Sequence, residues 1–265
     1  MVKLGVNSVL FKNQSFSEAA RLISMAGYDG VEISAIKGMC EHLELDNWHT
    51  QVAVLRKAVR DTGLEFLSTE VASLVEERLL KAFEACAEIG IPVVNIGPGG
   101  RSESEEDLLS SIEQIAKLSE KAKSFGVTLC VKAHVGAAIY NTPTTLRAIK
   151  SIYSEGFGID MDPSHIYRAG ENPQEALSKV ISHVKHIHIR DCKGRGPSPG
   201  QPALQTCGRG DIDLYGYCKA MTDNGYSGPV CLEVIGPDIE LAQAVTIAAE
   251  SYGYLNACLK CLGAR

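Results

Sequence analysis

Long apolar runs and any surplus of positive charge are missing from this 265-residue chain. No stretch approaches the roughly 20 consecutive apolar residues that span a bilayer, so no membrane segment is expected. Acidic side chains outnumber basic ones, giving a formal net charge of −6 and a pI near 5.7, which argues against a broad nucleic-acid surface. Tryptophan is nearly absent, with Trp48 alone. The nine cysteines are odd in number and follow no framework spacing, which excludes a disulfide scaffold and predicts reduced thiols in a cytoplasmic protein. Cys258 and Cys261 form one C-x-x-C without a second pair, so packing is expected there and not zinc. The N-terminal residues run straight into a strand pattern, and no secretory leader is expected. After the first apolar run comes Asn7-Ser8-Val9, where a doubly wound dinucleotide-binding sheet carries a glycine-rich phosphate turn.

What is present is a rhythm. Short apolar runs fall at residues 4–7, 31–34, 64–68, 93–96, 127–132, 157–162, 184–189 and 230–234. Amphipathic stretches separate them at 18–25, 51–62, 79–89, 108–125, 144–152 and 173–182. Glycines at 27, 63, 90, 126, 156 and 225 stand where a helix needs a C-terminal cap before the next strand. Ser17, Ser104 and Asn172 are placed to cap helix N-termini. Eight strands alternating with helices or long loops over about 250 residues predict an α/β fold, a single (β/α)8 TIM barrel covering 1–265. Gly97-Pro98-Gly99-Gly100 reads as a tight turn, and the irregular segment 192–211 reads as a lid over the barrel mouth.

In such barrels reactive groups close the C-terminal ends of strands. Asp160 and Asp162 share one face of the sixth run, His186 and His188 one face of the seventh, and Lys132 and His134 one face of the fifth. Glu233 lies near the end of the eighth run and His165 in the turn after the sixth. Each residue alone is equally well a helix cap or a satisfied core group. Their coincidence at one end of consecutive strands argues for a shared site, and an Asp, a His and a Glu suit a divalent metal.

Asp162-Pro163-Ser164-His165, the run from His186 to Gly194, Gly208-Arg209-Gly210-Asp211-Ile212-Asp213 and the run from Gly225 to Glu233 resemble the sugar phosphate isomerase/epimerase family. These are xylose-isomerase-like barrels that include ketose 3-epimerases and inosose dehydratases. The resemblance implies a divalent metal (manganese, magnesium or cobalt) held by Asp162, His188 and Glu233, with His165, His186 and Arg190 facing a small sugar or sugar derivative. It also implies association into homo-oligomers. Glu32 and Trp48 are expected against the substrate, with Glu70 and Asn95 as weaker candidates. Where the family carries a fourth ligand, a glutamate on the fifth strand, this chain has Lys132.

That replacement leaves three outcomes open. Lys132 is neutral beside the metal and acts as a base, or His134 becomes the replacement ligand, or the metal is absent and the ammonium supplies its charge. Three protein ligands suffice for a catalytic site, so the adopted reading keeps the metal. It expects an isomerase or epimerase in which Glu233, helped by Lys132 and His134, removes a proton beside a carbonyl through an enediolate. A lyase (β-elimination, dehydratase or Schiff-base aldolase type) and a metal-free sugar-binding barrel are the alternatives. An apurinic-endonuclease relative would need early strand-end histidines and a basic groove, and His42 and His49 are not at strand ends.

Overall fold

A computed structural model describes all residues, 1–265. The strands are β1 (Lys3–Asn7), β2 (Gly30–Ile36), β3 (Cys40–Glu41), β4 (Glu65–Glu70), β5 (Val93–Ile96), β6 (Thr128–Lys132), β7 (Phe157–Met161), β8 (Val184–Ile189) and β9 (Pro229–Leu232). All but β3 pair in parallel in chain order, and β1 pairs with both β2 and β9, so eight strands close into a barrel. β3 is a two-residue strand antiparallel to the end of β2, outside the ring. Closure needs bare backbone at Gly30, where a Cβ would stand 2.5 Å from Leu67 Cγ and 2.6 Å from the Glu65 carbonyl oxygen.

The helices are α1 (Phe16–Met25), α2 (Trp48–Thr62), α3 (Glu76–Ile89), α4 (Glu105–Ser124), α5 (Thr142–Ser151), α6 (Pro163–Arg168), α7 (Pro173–Val180), α8 (Leu214–Asp223) and α9 (Leu241–Cys261). The six expected helices all form, and the expected caps Ser104 and Asn172 accept from backbone N–H groups of the first turns of α4 and α7. The α1 cap is Ser15, whose hydroxyl accepts from the Glu18 N–H, because the helix starts earlier and takes Ser17 into its first turn. Gly63 and Gly90 end α2 and α3 in the left-handed conformation. Gly156 does something else: a Cβ there would lie 2.3 Å from the Ser119 carbonyl oxygen, so it lets α4 approach the loop before β7.

One apolar cluster fills the space between strands and helices, joining Ile33, Val94, Val131, Ile159 and Ile187 of the barrel to Leu55, Leu79 and Ile115 of the ring. The inside of the barrel is polar. Asn7, Glu32, Ser68, Asn95, Asp160, His186 and His188 are all fully buried there. Such a layer stands only if its members satisfy one another. No helix is long and apolar enough to cross a membrane.

The segment 192–211 is docked and not poised over the mouth. Arg168 donates to the Pro197 carbonyl at 2.7 Å, Arg195 donates to the Tyr167 carbonyl at 2.6 Å, and Gln205 donates to the Gly200 carbonyl at 2.9 Å and to that of Ile235 at 2.6 Å. None of its residues lines the central cavity.

Candidate active site

Strand register brings the polar residues level. Asn7 pairs with Glu32, Glu70 with Asn95, Lys132 with Asp160, and Asp160 with His186. The period of two then aims His186 and His188 of β8 at the same interior.

The lower layer is a closed relay. Asp160 Oδ2 lies 2.6 Å from His188 Nδ1, while its Oδ1 lies 3.0 Å from His186 Nδ1 and accepts from the His188 backbone N–H at 3.0 Å. His188 Nε2 bonds to Glu32. Glu32 also accepts from Asn7, Ser68 and Asn95, at 2.9, 3.0 and 2.6 Å. Burial opposes charge on Asp160, yet the two imidazoles outweigh it and hold the carboxyl well below the usual range. The same contacts raise His188 well above an ordinary histidine, with Asp160 and then Glu32 overcoming burial.

Above this relay stands Lys132. Its Nζ donates to Glu70 Oε1 at 3.0 Å and to Glu233 Oε1 at 3.0 Å, and lies 3.1 Å from His188 Nδ1. Burial disfavours the ammonium, but Glu233 and Glu70 outweigh it, so the lysine is held charged. Arg190 completes the set. Its Nη2 donates to Asp162 at 2.9 Å and its Nε to Ser164 Oγ at 2.9 Å. Its Nη1 lies 2.9 Å from Glu233 Oε2 but is misaligned for a hydrogen bond, so both atoms are buried without a partner and keep bonding capacity. The two glutamates on Lys132 respond unequally. Burial, reinforced by the nearby Glu233 charge, pushes Glu70 up to about 8, so it is the protonated member. Glu233 has Arg190 as a second cation, and Arg190 and Lys132 together overcome its burial and hold it well below the usual range.

These groups floor a cavity of about 290 Å³ at the C-terminal mouth of the barrel, lined by Glu70, Lys132, His134, His165, Arg190 and Glu233 among others. His134 Nδ1 lies 2.9 Å from the Val135 carbonyl oxygen and donates to it, so Nε2 keeps its lone pair. Burial, with Lys132 nearby, lowers His134 and keeps it neutral. Burial and Arg190 hold His165 well below an ordinary histidine; its Nδ1 accepts from the Val135 N–H at 3.2 Å and its ring nitrogens face Arg168 and Arg190.

Several sequence expectations meet this geometry differently. Asp162, His188 and Glu233 do not gather around a common point: Asp162 caps α6, accepting from the Ser164 N–H at 2.8 Å, and its other oxygen belongs to Arg190. Glu32 and His186, expected against the substrate, lie in the lower layer and do not line the cavity. Trp48 starts α2, stacks near His49 and belongs to the apolar core. His134 lies beyond the end of β6, in the loop. Asp160, the centre of the relay, was legible only as one of two acids on the same strand face. Arg168 carried no signal in the sequence.

Side chains able to hold a metal do meet: Glu32–Glu70–His188, Asp160–His186–His188 and Glu32–His186–Cys231 each bring ligand atoms within 4.8 Å of one another. The donor set does not fit a dication beside a charged Lys132. Nζ touches two members of the first group, and at roughly 3 Å and an effective dielectric near 20 an ammonium and a dication repel by about 11 kcal/mol. The second and third groups are closed by their own hydrogen bonds through Asp160, Ser68 and Glu32.

A family model described as a xylose isomerase-like TIM barrel matches residues 20–258. An inosose dehydratase of Clostridium perfringens (strain 13 / Type A) is 22% identical, with 96% of this chain and 97% of the relative covered. Among solved structures, a D-psicose 3-epimerase in the presence of D-fructose superposes with a TM-score of 0.80 at 14% identity, covering 97% of this chain and 99% of that one. An IOLI protein with a bound zinc atom superposes with a TM-score of 0.77 at 18% identity, with 98% of each chain covered.

Proposed function

The chain belongs to the xylose isomerase-like TIM barrel family, and from that membership we propose that it is a carbon–oxygen lyase acting on a small polyhydroxylated ketone. The observation that carries this reading is the unequal pair on Lys132: Glu233 ionised and Glu70 protonated, both 3.0 Å from one ammonium. Two carboxyls pushed apart in pKa mark a base and an acid.

Glu233 takes the proton from the carbon beside the carbonyl. The bond pair moves to form the enolate, whose oxygen is held by the Lys132 ammonium and the free Nη1 of Arg190. Collapse of the enolate expels the hydroxyl one carbon further on, and Glu70 gives it a proton, so that water leaves. Substrate oxygens take the hydrogen bond that Glu233 receives from Lys132 in the free protein and engage the Arg190 guanidinium beside it, which restores the basicity of Glu233 as the site fills. His134 Nε2 and His165 orient substrate hydroxyls. The name of the Clostridium relative points to inosose, and cyclic keto-polyols of that kind are the first substrates to test.

An epimerase or isomerase reading is favoured by one fact, the Lys132 ammonium, which can return a proton to the enolate. The Schiff-base reading is weakened by the same group, since a charged lysine bonded to two carboxyls is no nucleophile. Keto-inositols and ketoses incubated in deuterium oxide separate these outcomes. A lyase yields a conjugated product with ultraviolet absorbance, and Glu233→Gln lowers its rate by about 10²–10⁴-fold. Deuterated epimer without unsaturated product would refute the lyase assignment.

A further inference from the structure

We infer that Lys132 is the resident cation of this barrel, so that the protein holds no divalent metal at its mouth and a single substitution, Lys132→Glu, creates such a site. The inference rests on the arrangement around Nζ and is independent of the lyase reading. Nζ donates to Glu70 Oε1 and Glu233 Oε1 at 3.0 Å and lies 3.1 Å from His188 Nδ1, whose own partner is Asp160 Oδ2 at 2.6 Å. Those are hydrogen-bond lengths, whereas oxygen and nitrogen ligands sit about 2.0–2.2 Å from a catalytic dication. The ammonium and all three of these neighbours are buried.

The surrounding charges are matched to one cation and not to two. Glu233 has its two oxygens facing two different cations, Lys132 on Oε1 and Arg190 on Oε2. Asp162 is occupied by Arg190 and by the first turn of α6. His188 is tied to Asp160 through Nδ1 and to Glu32 through Nε2. Each of these side chains already has a protein partner; Glu233 Oε2 makes no hydrogen bond, but it faces the Arg190 guanidinium at 2.9 Å and not an open coordination sphere. Lys132 enters from β6, three strands round the ring from β9, so its substitution by Glu exchanges the cation for a carboxylate facing Glu70 and Glu233. A dication then has three ligands from three strands, which is enough for a metal site.

The test is metal binding by the full chain, stripped with EDTA and titrated with manganese(II) chloride by calorimetry and electron paramagnetic resonance. The native chain is expected to take up no stoichiometric Mn2+, and its melting temperature should be the same with chelator as with Mn2+. Lys132→Glu is expected to bind one Mn2+ per chain, roughly a hundredfold or more tighter than the native chain, and to melt higher with Mn2+ than without. One tightly bound Mn2+ per native chain would overturn the inference. So would a folded Lys132→Glu, checked by circular dichroism, that gains no affinity. If that variant does not fold, Lys132→Gln removes the charge while keeping a polar side chain; gained Mn2+ affinity there supports the inference and its absence refutes it. The lyase reading stands or falls separately, on the identity of the product.

Discussion

At Lys132 one ammonium serves two glutamates, and the difference between them comes from their other neighbours. Arg190 supports Glu233, while Glu70 receives only the neutral Asn7 amide, at 2.8 Å, on its second oxygen. Because Glu70 sits up at about 8, the acid is present below that pH and lost above it. The rate of elimination should therefore fall as pH rises through about 8, and Glu70→Gln, which has no proton to lose, should remove that alkaline limb while lowering the maximal rate. The pH profile of kcat/KM for both proteins measures this, and an unchanged alkaline limb in the variant would remove Glu70 from the acid role. The sign for stability runs the same way. The folded state holds the Glu70 proton more firmly than the unfolded chain, so this contribution is complete below about 4.5 and disappears as pH climbs toward about 8.

At the scale of elements, the turn from β7 into α6 decides how the mouth is built. Asp162 caps a six-residue helix with one oxygen and holds Arg190 with the other. Asp162→Asn keeps the cap and removes the charge; Asp162→Ala removes both. Leaving Arg190 without Asp162 should cost about 3–5 kcal/mol, and losing the cap about 1 kcal/mol more. Urea unfolding should rank wild type above Asn and Asn above Ala, and values for both variants within error of wild type would contradict this account. In β2, Gly30→Ala should lower stability by about 1–3 kcal/mol by forcing Leu67 and the Glu65 carbonyl aside at the point of closure. Thermal unfolding reports it.

For the whole molecule, the buried relay links acid resistance to a single residue. Asp160 has its pKa depressed in the folded barrel, so its contribution is present above the unfolded value of about 3.8 and is lost as pH falls below it. His188 is raised, so its contribution is complete below about 6.5 and is lost only as pH rises past its elevated folded value. Guanidinium midpoints should therefore decline steeply below pH 4 in the native chain, and Asp160→Asn should be less stable at neutral pH with a flatter acid limb. Equal acid slopes in the two proteins would mean that Asp160 is not the group responsible.

The eight strands, the six amphipathic helices and the closed barrel were legible because hydrophobic periodicity and helix caps are local, repeating properties. Lys132, Arg190 and Glu233 were legible too, since strand ends are where a barrel exposes side chains. Local pattern was enough to bring Lys132, His134, His165, Arg190 and Glu233 to the mouth, and it carried the substitution of a cation for a carboxylate. Which partner each group takes came from long-range packing: Asp162 turned to Arg190, Glu32 and His186 were drawn beneath the floor, and Asp160 became the centre of the relay. Partner choice depends on register between strands far apart in the chain and on the summed charge inside a closed ring, and neither is written in any short stretch of residues.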